Sequence, residues 1–212
     1  TFFPHPRSII SDEKNIKSIN TLDEKIEIFS QLGLDELIIQ NFDKSFSEMS
    51  ADEFIELIVN NLNLKKIIVG YNHRFGKNRS ADIEFLKKFS LKYDFEVIEI
   101  KAFEIEKIKI SSTKIRNSIN DGNIDICNNY LGYNFNINGE VVKGKKIGKS
   151  IGFPTANIRI DEKYKILPKN GVYIVKCYFD KEKHYGMLNI GYNPTFGLNE
   201  KTVEVNIFDF DK

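Results

Sequence analysis

The chain of 212 residues has only two cysteines, Cys127 and Cys177, and they sit in unrelated contexts. They form no metal-binding pattern and read as reduced core residues, consistent with a cytoplasmic protein. There is no charge excess: 31 Lys and Arg stand against 30 Asp and Glu, a net charge of +1. That balance gives no basis for non-specific nucleic-acid binding, so any basic site must be local. No apolar run approaches membrane-spanning length and no signal peptide is present, so a membrane partner has no basis in the sequence. No internal repeat links the two halves. What is present is ordinary for a soluble globular protein, with 41% hydrophobic and 29% charged residues, enough to build one large domain or two small ones. The chain opens at Thr1-Phe2-Phe3 without methionine and stops just after a strand pattern. It reads as a partial chain.

The first half alternates strand and helix signals. Residues 1–3 read as a short strand running into Pro4-His5-Pro6, where two prolines hold His5 in an extended loop. Thr21 and Glu24 make a capping box, followed by Leu22, Ile26, Phe29 and Leu32 at helical spacing and a stop at Gly33. Residues 36–40 read as a strand. Ser50 and Glu53 repeat the capping box ahead of Phe54, Leu57, Ile58 and Leu62. Lys66–Gly70 is a continuous apolar run, as expected of a strand covered on both faces. A helix is expected over residues 81–89 behind Ser80, and a strand over 95–100. This order predicts a doubly wound parallel sheet, with ligands beyond the carboxyl ends of its strands.

Two stretches fall at such ends. In Tyr71-Asn72-His73-Arg74-Phe75-Gly76-Lys77, the ring, amide and guanidinium could meet a planar ring and an anion, although a plain βα loop fits equally. In Ile110-Ser111-Ser112-Thr113-Lys114-Ile115-Arg116, hydroxyl residues open a helix, and helix N-termini attract phosphate. Arg116 lies within reach of such a phosphate. Simple capping explains the serines as well.

A short helix at residues 125–131, stopped by Gly132, marks a boundary between domains at 1–131 and 132–212. Beyond it Phe135, Ile137, Gly139 and Val141 alternate with polar residues. Residues 172–179 and 185–190 bracket a turn at 180–183, residues 193–197 form another turn, and 202–208 a last strand. These short strands predict a small antiparallel β-barrel.

The most informative stretch is Gly144-Lys145-Lys146-Ile147-Gly148-Lys149-Ser150-Ile151-Gly152-Phe153-Pro154-Thr155-Ala156-Asn157. Glycines let backbone N–H groups approach phosphate, and lysines neutralise it. Thr155 and Asn157 supply hard oxygens suited to Mg²⁺ carrying a nucleotide. It is not a Walker A loop: Gly144 to Gly148 is one residue short, and Gly152 and Pro154 block the helix that motif requires. A basic glycine-containing hairpin is the plainer alternative. Glu204, inside Val203-Glu204-Val205-Asn206-Ile207, could be a general base or a residue on a solvated strand face.

Taken in order, these stretches resemble the bacterial bifunctional riboflavin kinase/FAD synthetase family over essentially the whole chain. Thr1-Phe2-Phe3-Pro4-His5-Pro6 is similar to the family's T-F-x-P-H-P, and Val69-Gly70-Tyr71-Asn72-His73-Arg74-Phe75-Gly76 to V-G-x-[DN]-x-R-F-G. Ile110–Arg116 follows I-S-S-T-x-[IV]-R, residues 152–157 match G-F-P-T-A-N, and 189–196 resemble N-I-G-x-x-P-T-F. Glu204 takes the acidic position ahead of Asp209-Phe210-Asp211.

The resemblance implies two ATP-dependent steps, riboflavin to FMN in the barrel and FMN to FAD in the N-terminal nucleotidyltransferase-like domain. For the kinase it implies Mg²⁺ and phosphate contacts at Thr155 and Asn157. Gly144, Gly148, Lys149 and Gly152 would lie in the loop over the nucleotide, and Glu204 would be the base. For adenylyl transfer it implies His5, Asn72, Arg74 and Phe75 at the nucleotide and flavin, with Ser112, Thr113 and Arg116 on ATP phosphates. The implied partners are small molecules: ATP, riboflavin and FMN. The family's glycine-rich first strand and H-x-G-H signature, and the segment after D-F-D, are absent from these residues. Both activities are therefore expected to be impaired in this chain and complete in its parent. Two alternatives stay open: a kinase with a decayed nucleotidyltransferase-like half, or a flavin-binding module without turnover.

Overall fold

The computed structural model describes residues 1–11, 16–144, 153–180, 182–192 and 201–210. It divides into two compact units that do not follow chain order. The first comprises Thr1–Ile16 with Phe29–Ile110, the second Lys17–Ile28 with Ser111–Lys212.

In the first unit, β1 (Phe2–Phe3) pairs in parallel with β2 (Gln40–Asn41), and β3 (Lys66–Gly70) in parallel with β4 (Glu96–Ile100). These are two separate two-stranded sheets among the described residues. The expected strand at 36–40 shrinks to its last residue and its neighbour Asn41. The helices are α1 (Pro6–Ile10), α3 (Lys44–Ser47), α4 (Ala51–Leu62) and α5 (Ile83–Tyr93), and a hairpin joins β5 (Glu104–Ile105) to β6 (Ile108–Lys109).

The capping box at Ser50 and Glu53 is present in both directions. Helix α5 starts later than its apolar spacing suggested. Its cap is Asp82, whose carboxylate accepts from the Glu84 and Phe85 N–H groups, while Ser80 only ends the turn before it.

The core of this unit joins Ile55, Val69, Leu86 and Phe95. A contiguous run of rings, Phe2, Phe42, Phe46, Phe54, Phe75, Phe85, Phe89 and Tyr93, packs edge to face, tilted or stacked along it. Strand β3 is not covered on both faces as its composition suggested. Val69 is buried, but Ile68 keeps 58% of its surface exposed, and Ile100, opposite Gly70 on β4, keeps 56%. Only the face turned to the Ile55 and Leu86 cluster is packed.

In the second unit, α2 (Leu22–Gln31) begins at the predicted capping box: Thr21 N–H donates to Glu24 Oε2 at 2.8 Å and Glu24 N–H to Thr21 Oγ1 at 3.2 Å. The helix counts with the second unit through Ile28 and with the first from Phe29. Helices α6 (Ser112–Asp121) and α7 (Ile124–Leu131) end at Gly122 and Gly132, both in the left-handed region that glycine enters without strain.

Strands β7 (Glu140–Val142), β8 (Ala156–Arg159), β9 (Gly171–Phe179), β10 (Glu182–Tyr192) and β11 (Lys201–Ile207) form one antiparallel sheet in the order β7-β8-β11-β10-β9. The β9–β10 hairpin is tighter than predicted, because Glu182 already pairs with Phe179. Strand character starts at Glu140, not at residue 135. The turn expected at residues 193–197 lies outside the described residues.

A polar group that sequence patterning does not reveal lies inside this unit. Lys165 donates to Glu24 Oε2 at 2.5 Å, to the Asn136 carbonyl at 2.7 Å and to the Ile19 carbonyl at 2.8 Å, and its ammonium sits 4.5 Å from the Phe135 ring centre. The other Glu24 oxygen accepts from Asn138 N–H at 3.1 Å. Both side chains are almost wholly out of water, at 1% and 0% exposure. Burial pulls the Lys165 pKa below that of an ordinary lysine, and the Glu24 carboxylate opposes the shift. Cys127 is buried in the same unit, where loss of solvent pushes its thiol pKa up, and both cysteines are free.

Candidate functional site in the C-terminal sheet

Register brings two of the predicted residues together. Asn157 on β8 lies directly opposite Glu204 on β11, and Glu204 directly opposite Asn189 on β10. The row continues to Val142 on one side and Val172 on the other. Directly opposed residues of an antiparallel sheet share a face, with Cβ atoms about 5 Å apart. The intervening residues Val203, Val205 and Ile190 are buried, so the row Asn157, Glu204, Asn189 stands on the face turned away from the core. No hydrogen bond among the described residues engages these three side chains. An oxygen-rich strip with unspent hydrogen-bonding capacity, on the back of an apolar layer, can receive a polar ligand.

Gly144 belongs to the same place. A Cβ built on it would lie 2.0 Å from Asn157 Nδ2 and 2.6 Å from Asn157 Cγ, so the amide rests directly on the glycine backbone. Thr155 is exposed one residue before β8 begins. The peptide leading into it is fastened by Asn206, whose Nδ2 donates to the Pro154 carbonyl at 2.7 Å. Gly148, Lys149 and Gly152, expected in the loop over the nucleotide, lie outside the described residues. Among the described residues no cluster of three or more His, Cys, Asp or Glu could hold a metal ion. Any metal here would rest on Thr155 and Asn157 oxygens together with its ligand's own oxygens, which suits a hard cation that keeps much of its water.

The residues expected at the other site fall into two groups. In the first unit, His5 caps α1, its Nδ1 accepting from Arg7 N–H at 3.2 Å, and Pro6 occupies the first helical position. Arg74 pairs with Asp82 at 2.9 Å, both partly in water. Phe75 is a core ring, 5.7 Å from Phe54 and 5.8 Å from Phe85, and stacks on His73. Asn72 is exposed beyond β3. In the second unit, Ser112 and Thr113 are exposed in the first turn of α6, which Ser111 caps, and Arg116 reaches back to Thr113 Oγ1 at 3.4 Å.

Sequence reading missed Asn189 and Asn206 as neighbours of Glu204. The signal was available. Asn is unfavourable in strands, yet it recurs on three adjoining strands at positions that alternate with buried or half-buried aliphatics.

The FAD synthetase family model matches residues 1–114 and the riboflavin kinase family model residues 131–212. Among curated relatives, a bifunctional riboflavin kinase/FMN adenylyltransferase of Buchnera aphidicola is 38% identical over 216 residues, covering 99% of this chain and 68% of the relative. Proteins of the same name from Listeria monocytogenes and Bacillus subtilis are 37% and 35% identical, each covering 100% of this chain and 68% of the relative. A crystal structure titled as a macrolide-efflux protein from Streptococcus pneumoniae superposes with a TM-score of 0.88 at 34% identity, covering 100% of this chain and 69% of that one. No helix among the described residues is long and apolar enough to cross a membrane. With two family models in tandem and similarity to the named relatives along the whole of this chain, the chain belongs to the bifunctional riboflavin kinase/FMN adenylyltransferase family.

Proposed function

We propose that this protein phosphorylates riboflavin to FMN and adenylylates FMN to FAD, with ATP as the donor in both steps, in the cytoplasm. The observation that carries the kinase half is the register setting Glu204 between Asn157 and Asn189, with Gly144 beneath the Asn157 amide. This lies in the stretch similar to riboflavin kinases. The five-stranded sheet is on this reading part of a closed barrel spanning residues 132–212. The two parallel strand pairs belong to one doubly wound sheet within residues 1–131.

In the kinase step, Glu204 takes the proton of the riboflavin 5′-hydroxyl as its oxygen bonds to the γ-phosphorus of ATP. The bond from that phosphorus to the β–γ bridging oxygen breaks, releasing ADP. Phosphoryl transfer asks a protein mainly for positioning and charge neutralisation. Thr155 and Asn157 orient the phosphates through their oxygens, and Gly144 leaves the room in which the Asn157 amide sits. Magnesium, held by Thr155 and Asn157, would supply neutralisation of the phosphate charge. Pairing of its strand on both sides fixes the face from which Glu204 projects.

In the adenylyl step, Ser112, Thr113 and Arg116 hold ATP phosphates at the start of α6, where free N–H groups and the helix dipole favour anions. His5 and Asn72 are the first unit's candidates for substrate contact. Arg74 and Phe75 act through the loop they stabilise, since one is paired with Asp82 and the other packed in the core.

Incubation with riboflavin, ATP and Mg²⁺, followed by chromatography, tests both halves; FMN and then FAD are expected. Glu204→Gln should lower the kinase rate by about 10²–10⁴-fold with riboflavin binding kept. Unchanged turnover in that variant would exclude Glu204 as the base, and no phosphorylated flavin at all from the wild-type protein would exclude the kinase reading.

A further inference from the structure

Ladder pairing between β8 and β11 ends at Val205 and Ala156. Continued by one residue, it would set Asn206 opposite Thr155. Pro154, just before, has no N–H to give to β11, so the backbone cannot carry the tie further. The side chain of Asn206 does so instead, its Nδ2 donating to the Pro154 carbonyl at 2.7 Å. The Pro154 carbonyl and the Thr155 nitrogen share one planar peptide unit, so fixing the first fixes how the chain enters Thr155. Asn206 is two residues from Glu204 on the same strand and stands on the same face. It is held from the other side by pairing with Met187.

From this geometry we infer that Asn206 is a positioning residue for the nucleotide side of the site. It sets Thr155 at a fixed distance from the strand that carries Glu204, without itself touching the reacting atoms. The inference rests on the kinase reading above and extends it to a residue outside the ligand set. One amide thereby joins the two halves of the chemistry, phosphate holding on β8 and proton removal on β11.

The test uses Asn206→Ala, which removes the donor, and Asn206→Asp, which keeps the shape but sets a carboxylate against a carbonyl. Both are measured in the whole protein for Mg-ADP affinity, riboflavin affinity, kinase kinetics and hydrogen exchange of the peptide 153–157. Loss of one such hydrogen bond predicts Mg-ADP binding weakened about 3- to 10-fold in the alanine variant, and more in the aspartate variant. Exchange at 153–157 should be faster, and riboflavin affinity unchanged. If Asn206→Ala leaves Mg-ADP affinity and exchange as in wild type, or weakens riboflavin and Mg-ADP alike through general loss of stability, the positioning role is wrong. Should the aspartate variant fail to fold, the alanine variant alone decides. Failure of the kinase reading looks different: the wild-type protein would then form no FMN from riboflavin and Mg-ATP, whatever Asn206 does.

Discussion

Asn157 and Gly144 illustrate how little space separates a working contact from a blocked one. The amide sits where the first side-chain carbon of any other residue at 144 would have to be, at 2.0 Å. In Gly144→Ala that flexible amide must swing away, which costs the fold little because only a side-chain end moves. We expect near-wild-type thermal stability with kinase kcat/KM for ATP lowered at least 10-fold, as expected when a phosphate-orienting group is displaced. A variant with wild-type kinetics would show that Asn157 does not need its present seat. Both residues of this contact stood out in the bare sequence, Gly144 as the first glycine of the basic loop and Asn157 as the last residue of Gly-Phe-Pro-Thr-Ala-Asn. Their contact did not, because 13 positions separate them and only strand register closes that gap. Arg74 and Phe75 make the opposite case. Their residue types advertise ligand contact, yet an Asp eight residues on and two neighbouring rings engage them.

Helices and strands were legible wherever a cap and an apolar period coincided. The Ser50–Glu53 and Thr21–Glu24 boxes, the Gly132 stop, and the Lys66–Gly70 strand all appear at or next to their predicted positions. Short extended pieces were not legible, because a Leu-Ile-Ile run does not say how far pairing extends: Thr1 donates to the Ile38 carbonyl and accepts from the Gln40 N–H, and the strand begins only at Gln40. Ile38 and Ile39 remain largely open to water. The Thr21–Glu24 box also does a second task that no local pattern could reveal. Its glutamate, already bonded to two N–H groups, closes on Lys165 from far along the chain. Removing one charge of such a pair leaves the other buried without compensation, so Lys165→Met should destabilise the second unit by about 3–5 kcal/mol. Urea denaturation followed through the second unit's tyrosines measures this. A loss below about 1 kcal/mol would mean that water reaches Glu24 in the folded state.

Across the whole molecule, compactness and sequence similarity divide the chain differently. The riboflavin kinase similarity begins at residue 131, but residues 17–28, inside the stretch similar to FAD synthetases, fold with the second unit and supply both Glu24 and the Ile19 carbonyl to Lys165. Ser18 adds a bridge to Lys165 through its backbone, with Ser18 N–H on the Tyr164 carbonyl at 2.7 Å and Ile166 N–H on the Ser18 carbonyl at 2.9 Å. Helix α6, with Ser112, Thr113 and Arg116, belongs to that unit too. The change of periodicity near Gly132 told where strands replace helices; that residues 17–28 fold with the second unit was not legible, since it depends on contacts between residues more than a hundred positions apart. The account stands on a phosphate-bearing nucleotide seated beside Glu204 on the open face of the C-terminal sheet. Paramagnetic relaxation by Mn-ADP, read on the backbone amides of isotope-labelled protein, locates that seat directly. Broadening centred on Thr155, Asn157 and Glu204 is the predicted result; intact signals at all three, with broadening elsewhere, would contradict it.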